Sequence, residues 1–449
     1  MVVASSYIRA RSRNGLLSEV REYCLVTGST GKGMFGEPTF TRYFSAVAIG
    51  AFGTALTAVA LPVLVIDVLG ADAFEVGMVN AAQFLPYAVL GLLAGVYVDR
   101  WRRQRVLVWA SLGRAISLAL VPVLWAAGIL HLWVLVVLLL LFGAFSVFGF
   151  AATQSLLPQI VERRALRAAN ARLDQAEASA QTAGPALGGL LVGLIGAPLA
   201  IAVDAVTYVV DAALIAGMRV QEPAQRKTVQ RSIRREVAEG LRWTYRHRVL
   251  GPLALSTHVW FLANAAALTV LAVFALRTLS FAPFVYGLLF AVGGVATLIG
   301  ATVAPRMGAR FGSGATITAG RAIYPVAWIM VAFAPAESAP QVDAVAVALV
   351  FSAIALHGFA GGLENANEMS LRQAVTPDAL MGRTNATMRS ANRTLAAIGA
   401  LAGGTAATIL GERLALFIIV GVFASAFIVA MASPLPTARD DEDLDETTP

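Results

Sequence analysis

The chain has 449 residues, of which 58% are hydrophobic and only 14% charged, and its formal net charge is +7. A soluble domain carries about 25% charged residues, so this composition and a mean hydropathy of +0.72 exclude a soluble protein. Basic clusters do not interleave with aromatics as a nucleic-acid platform requires, and one cysteine with four scattered histidines offers neither an internal disulfide nor metal spacing. No metal, cofactor or nucleic acid is expected.

In chain order, residues 1–39 show no apolar core of a cleavable signal and read as a disordered cytoplasmic tail, with Met34 a candidate translation start. The Gly31-Lys32 pair is not a phosphate loop, because Val26 stands where Gly is needed and Gly33 where Ser or Thr is needed. Apolar runs of roughly 20 residues then place spans at about 43–66, 74–98, 105–128, 132–156, 170–195 and 198–218, and again at about 251–276, 283–304, 314–334, 342–367, 383–409 and 414–433. Continuous runs imply helices rather than the short alternating strands of a barrel. The expected fold is an all-α integral membrane protein with twelve transmembrane helices in two pseudo-symmetric six-helix bundles, at 40–218 and 251–433. An acidic cytoplasmic tail follows at 434–449.

Positive charge sets the orientation, since cytoplasmic loops retain Lys and Arg. Of the 34 basic residues, only Arg277 and Arg413 fall on loops or edges assigned outside, which places both termini inside. The linker 219–250 is polar and basic, and Ile233, Val237, Leu241 and Tyr245 recur in it every four residues. That spacing fits an amphipathic helix on the inner membrane surface, with a solvated tether as the alternative.

The halves repeat. Gly113-Arg114-Ala115-Ile116 recurs as Gly320-Arg321-Ala322-Ile323, and residues 155–189 laid without gaps on 370–404 pair Asn170 with Asn385, Gly184 with Gly399, Gly188 with Gly403 and Gly189 with Gly404. Internal duplication of six spans is a transporter architecture with its substrate site near mid-membrane.

Charges inside a bilayer cost roughly 2.5–3.5 kcal/mol each on insertion scales, so each needs a partner or a task. Arg114 in span 3, Asp204 and Asp211 on one face of span 6, and Glu364 with Glu368, Asn365 and Asn367 in span 10 qualify. A carboxylate in such a place either pairs with a cation or carries a proton. Asp204 and Asp211 are candidate partners of Arg114. Asn264 and His258 in span 7 are candidate substrate contacts, and Phe44, Phe52, Phe145, Phe148, Phe150, Trp260 and Phe261 supply aromatic surface. The loop Gly91–Arg105 joins spans 2 and 3, and its Asp99 can meet a guanidinium and the positive N-terminus of a neighbouring helix.

Gly95-Val96-Tyr97-Val98-Asp99-Arg100 with Arg103 resembles the signature between spans 2 and 3 of the major facilitator superfamily. The likeness covers residues 40–435, with a worn second copy at Gly300–Gly312 and Arg102 where many members have Gly. Leu371-Arg372-Gln373, Thr376-Pro377-Asp378 and Gly382-Arg383 resemble the branch of the enterobactin exporter and macrolide efflux proteins. Gly184-Pro185-Ala186-Leu187-Gly188-Gly189 in span 5 is similar to the motif that marks drug antiporters.

The resemblance implies a conformational latch at Gly95, Asp99, Arg100 and Arg103, and a bend at Gly184, Pro185, Gly188 and Gly189 that favours export. It places spans 1, 4, 7 and 10 around the cavity, which prefers Glu364 over Asp204 and Asp211 for proton coupling. The function it implies is secondary transport: export of a bulky, partly apolar small molecule, such as a drug, a macrolide-like compound or a siderophore, across a bacterial inner membrane by alternating access. Protons are the expected counter-substrate, and the protein is expected to be a monomer in contact with membrane lipid. A proton-coupled importer or uniporter, or a non-transporting scaffold or sensor, are the alternatives. No nucleophile, acid–base set or metal cluster shares a common depth, so an enzyme is not expected.

Overall fold

The computed structural model describes residues 37–220, 233–336 and 343–439, apart from the side chains of residues 92, 93, 95, 96, 99, 100, 233–237, 378 and 379. Most of the N-terminal tail, with Cys24, the Gly31-Lys32 loop and Met34, lies outside the described residues, as do the stretch after Arg439 and residues 221–232 of the linker. Among the described residues there are thirteen α-helices and no strand. They are α1 Pro38–Val63, α2 Ala73–Arg100, α3 Arg103–Ala126, α4 Leu132–Ile160, α5 Leu166–Ile195, α6 Ala197–Ala216, α7 Ile233–Arg246, α8 Leu250–Val273, α9 Pro283–Phe311, α10 Ser313–Ala332, α11 Ala344–Val375, α12 Asp378–Leu410 and α13 Glu412–Met431. Eleven are long and apolar enough to cross a membrane. The short α7 and the 28-residue α2, whose side chains are only partly described, stand outside that set.

Each expected span falls on a long helix. The helices outrun the apolar runs at the arginine-rich ends: α9 continues through Arg306 and Arg310 to Phe311, and α11 through Glu368 and Arg372 to Val375. A helix satisfies its own backbone and needs apolar side chains only where lipid surrounds it. We call this side of the molecule the basic end.

At the opposite end α1 and α8 each finish in a π-helical turn, Leu64–Val68 and Phe274–Thr278. The chain reverses after them at Gly70 (φ 67°) and at Ser280 (φ 53°), the one non-glycine residue with positive φ among those described. Different chemistry then starts the next helix. Asp72 and Glu75 cap α2 reciprocally, each carboxylate accepting from the other's backbone N–H at 2.8 Å, whereas α9 opens on Pro283, whose missing donor costs nothing in a first turn.

Helix packing repeats between the halves. α1 packs on α5 and α6, α3 on α4 and α6, and α2 on α4; likewise α8 packs on α12 and α13, α10 on α11 and α13, and α9 on α11. The halves meet where α2 packs on α12 and α5 on α9. Lipid is as apolar as Leu, so close packing rather than hydrophobicity must hold such helices together, and small residues permit it. A methyl on Gly188 would meet Leu56 Cα at 2.9 Å, and one on Gly403 would meet Ala266 Cα at 2.7 Å, so α5 lies tight on α1 as α12 does on α8. The neighbouring glycines face across the halves: a methyl on Gly189 would meet Phe284 Cα at 2.9 Å, and one on Gly404 would meet Phe74 Cα at 3.1 Å.

Buried apolar side chains form one cluster common to both halves toward the π-turn end, including Leu64, Val76, Tyr208, Phe274, Tyr286 and Phe423. Toward the basic end the clusters separate, one around Tyr43, Leu156 and Met218 and the other around Leu253, Ile317 and Leu435. The linker helix α7 docks on α12 and α8. Glu239 pairs with Arg383 of α12 at 2.6 Å, and the Tyr245 hydroxyl lies 2.7 Å from His258 Nε2 of α8. Leu241 and Tyr245 remain exposed.

Crowding at these glycines gives a direct test. Gly188→Val and Gly403→Val should each cost roughly 1–3 kcal/mol by overpacking, lowering the thermal midpoint in detergent. Gly193→Ala, with nothing within 4 Å of the new methyl, should leave the midpoint unchanged or raise it, and equal losses at all three positions would refute the packing argument.

Candidate functional site

A cavity of about 280 Å³ lies near mid-length of the long helices, between the two halves. Thr54, Thr57 and Leu61 of α1, Asn80, Gln83 and Phe84 of α2, Phe142 of α4 and Asp204 of α6 line it from the first half. Phe261, Asn264 and Thr269 of α8, Tyr286 and Phe290 of α9 and Arg393 of α12 line it from the second. Of the four spans expected to line it, the first, fourth and seventh do. The tenth, α11, gives no lining residue.

Asp204 is buried, and Thr57 Oγ1 donates to its Oδ2 at 2.5 Å while Thr207 Oγ1 donates to its Oδ1 at 3.1 Å. Asn264 Oδ1 is buried in the same cavity wall without a hydrogen-bond partner among the described residues. Asn80 Nδ2 donates to Thr269 Oγ1 at 3.1 Å, one of the few polar bonds that join the halves.

Glu364, the preferred coupling residue, is turned away from this cavity toward α10. Its Oε2 lies 3.0 Å from Arg321 Nε, off the line of the N–H, and its Oε1 accepts from the Tyr324 hydroxyl at 2.8 Å. Glu368 lies 3.5 Å from Arg321 Nη2 and 3.9 Å from Arg372 Nη1. Arg321 also donates to Thr257 Oγ1 at 3.0 Å and Ser256 O at 3.3 Å, so a guanidinium only 1% exposed has partners on every side. The aromatic cluster of Trp260, Tyr324, Trp328, His357 and Phe423 continues from it.

The first half solves the same problem differently. Arg114, the repeat counterpart of Arg321, stands 3.6 Å from Asp211, with Ser111 bridging the two: Arg114 Nη2 donates to Ser111 Oγ at 3.0 Å, and that hydroxyl donates to Asp211 at 2.5 Å. Its Cζ rests 4.3 Å from the Tyr208 ring centroid. Asp211 is therefore the partner of Arg114 that the spacing suggested, whereas Asp204 is held by threonines.

The remaining candidates separate. Gly184, Pro185, Gly188 and Gly189 are buried between α1, α5 and α9, and a methyl on Gly287 of α9 would meet the Pro185 carbonyl. Of the latch, Arg103 opens α3 and is half-buried, while the side chains of Asp99 and Arg100 and the surroundings of Gly95 lie outside those described. In the second-half loop Pro377 caps α12, Gly382 has open space beside it and Arg383 holds α7, with the Asp378 side chain outside those described. Asn365 is exposed; Asn367 donates to the carbonyls of Leu363 and Ala304 and braces α11 against α9. His258 bridges Tyr245 and Asn392, and of the expected aromatics only Phe261 lines the cavity. Phe145 and Phe148 instead line a separate groove with Trp101 and Trp109.

Arg321, Arg389 and Arg393 are intramembrane charges outside the expected set. The repeat with Arg114 marks the first, and the four-residue spacing of the other two inside the eleventh span marks a cationic helix face. Arg321→Gln should cost roughly 3–5 kcal/mol, because Glu364 and Glu368 lose their buried partner. The thermal midpoint reads this loss, and Arg321→Gln combined with Glu364→Gln should recover part of it.

The family model for transmembrane secretion effectors, MFS_3, matches residues 30–448. The multidrug efflux pump Tap of Mycolicibacterium fortuitum is 30% identical over 225 residues, 49% of this chain and 54% of that protein. Macrolide efflux protein A of Streptococcus pyogenes is 24% identical over 171 residues, 38% of this chain and 42% of that protein. The chain thus spans about half the length of the Tap relatives it matches. Among solved structures, a mutant form of the nucleoside transporter NupG aligns with a TM-score of 0.70 at 11% identity, over 88% of this chain and 99% of that one. A bacterial homologue of the lysosomal transporter Spinster, inward-facing and unoccupied, aligns with a TM-score of 0.68 at 13% identity, over 89% and 98%. Fold and family are those of membrane transporters, not enzymes, and this multi-pass membrane protein belongs to the transmembrane secretion effector family of the major facilitator superfamily.

Proposed function

We propose that this transporter exports a bulky, partly apolar small molecule by alternating access between two six-helix bundles, in exchange for protons. The observation that carries the reading is the cavity between the halves, walled by Phe84, Phe142, Phe261 and Phe290 and dotted with a few polar groups, as ligand sites generally are. Its position relative to the apolar clusters supports alternation, since one cluster seals the halves together toward the π-turn end while two separate clusters lie toward the basic end. With the basic end in the cytoplasm, as the distribution of arginines favours, this is a conformation closed to the outside. The multidrug and macrolide efflux relatives support the outward direction.

For proton coupling we favour Asp204 over Glu364. Asp204 lines the cavity and has only hydroxyl partners, whereas Glu364 is locked to Arg321 and Tyr324. A carboxylate facing the cavity without a fixed cation can exchange a proton as the cavity changes access, whereas one held by a guanidinium must first leave that partner.

Inverted vesicles give the test. From a panel of labelled macrolide, tetracycline, dye and siderophore compounds, the transported ones should accumulate when a proton gradient is imposed, and Asp204→Asn should remove the gradient's effect for every one of them. Glu364→Gln should slow transport while leaving it gradient-dependent. Accumulation that ignores the gradient in the wild type would refute antiport, and gradient dependence lost only in Glu364→Gln would return the role to that residue.

A further inference from the structure

Arg389 and Arg393 lie one turn apart on α12 and both reach across to rings of the other half. Arg393 Cζ is 5.2 Å from the Phe84 ring centroid and 5.8 Å from that of Tyr87, and Arg389 Cζ is 3.7 Å from that of Phe150. Arg114 and Arg321 each have carboxylates within ion-pair range. Among the described residues, neither Arg389 nor Arg393 has a hydrogen bond or an ion pair. Asp204, the carboxylate on the same cavity, is engaged by Thr57 and Thr207. Arg393 is thus a cation facing a cavity near mid-helix with ring faces but no counter-ion within pairing distance, and ring faces offset only part of the cost of a desolvated charge.

We propose that the cavity receives solutes whose aromatic or apolar body bears an anionic group, a carboxylate, sulfonate or phosphate, and that Arg393 is the residue that pairs with it. The proposal rests on the transporter reading above. Guanidinium geometry suits such oxyanions, because two parallel N–H donors match two oxygens. Phe84, Phe261 and Phe290 flank the place for the apolar body. Arg389, one turn nearer the basic end, holds positive potential along the way in, and the unpartnered Asn264 Oδ1 offers an acceptor to a donor on the same solute.

The full chain in phosphatidylcholine nanodiscs, titrated with three fluorescent probes that share one ring system, separates charge from apolar fit: dansylglycine (anionic), dansylamide (neutral) and dansylcadaverine (cationic). The wild type should bind dansylglycine about tenfold more tightly than dansylamide. Arg393→Gln should erase that preference without changing dansylamide binding, and Arg393→Lys should keep most of it. Equal affinity for the three probes, or an Arg393→Gln effect common to all of them, would overturn the proposal and leave Arg393 as a tie between the halves. Displacement of dansylglycine by phosphatidylglycerol added to the discs would overturn it in favour of a lipid headgroup. Uptake of the same probes into inverted vesicles keeps the two readings apart: an anion preference in binding with no uptake of any probe fails export alone, and uptake without anion preference fails this proposal alone.

Discussion

The whole arrangement depends on how closely α5 and α12 approach their neighbours. In lipid no hydrophobic driving force pulls helices together, so contact between them must come from surfaces that fit. Each of these helices carries a pair of glycines against its own half and one against the other: Gly184 and Gly188 on α1 and Gly189 on α9, Gly399 and Gly403 on α8 and Gly404 on α2. The glycines of α9 and α2 answer them, since a methyl on Gly287 would strike the Pro185 carbonyl and one on Gly77 the Ala400 carbonyl. Four helices thereby mesh backbone to backbone across the interface, and Phe84 of α2 and Phe290 of α9, with Phe142 of α4, line the cavity.

The proline of span 5 has no counterpart in span 11. Pro185 gives up a backbone donor, which loosens the helix locally, yet its carbonyl still lies against Gly287. Ala400 occupies the equivalent place against Gly77 and keeps its donor. The two crossings are alike in shape, but α5 lacks a backbone donor that α12 keeps. α7 adds a second asymmetry, because Glu239 and Tyr245 fasten it to the second half through Arg383 and His258.

Span positions were legible in the letters because lipid demands about 20 apolar residues in a row, and the repeat was legible because glycine cannot be replaced where backbones touch. Helix ends were less so: α11 continues past its apolar run into water, where composition carries no signal. Depth and spacing offered Arg114 two carboxylates, Asp204 and Asp211, and the structure pairs it with Asp211. Glu364 does not line the cavity that its helix class in the related fold suggested, because its side chain turns to Arg321, a partner on a different helix 43 positions away in sequence. Arg389 and Arg393 obey the rule that singled out Arg114, but the stretch leading up to Arg393, from Asp378 to Asn392, is polar enough to resemble a loop in composition.

The two halves, equal in architecture, have come to handle charge in opposite ways. In the second half a deeply buried arginine gathers Glu364, Glu368, Thr257 and Tyr324 into one network, and removing one member of such a network strands the others. In the first half the repeat position opposite Arg114 is Gly149, whose missing side chain leaves Arg114 to a single carboxylate through a serine bridge. Asp204 is thereby left to hydroxyls that can donate or accept. One bundle thus holds a buried arginine among several charged and polar partners, and the other leaves a cavity carboxylate with hydroxyl partners. The shared fold supplies both bundles, and the difference between them comes down to whether α4 or α11 carries a glutamate at the level of the arginine that the two halves share.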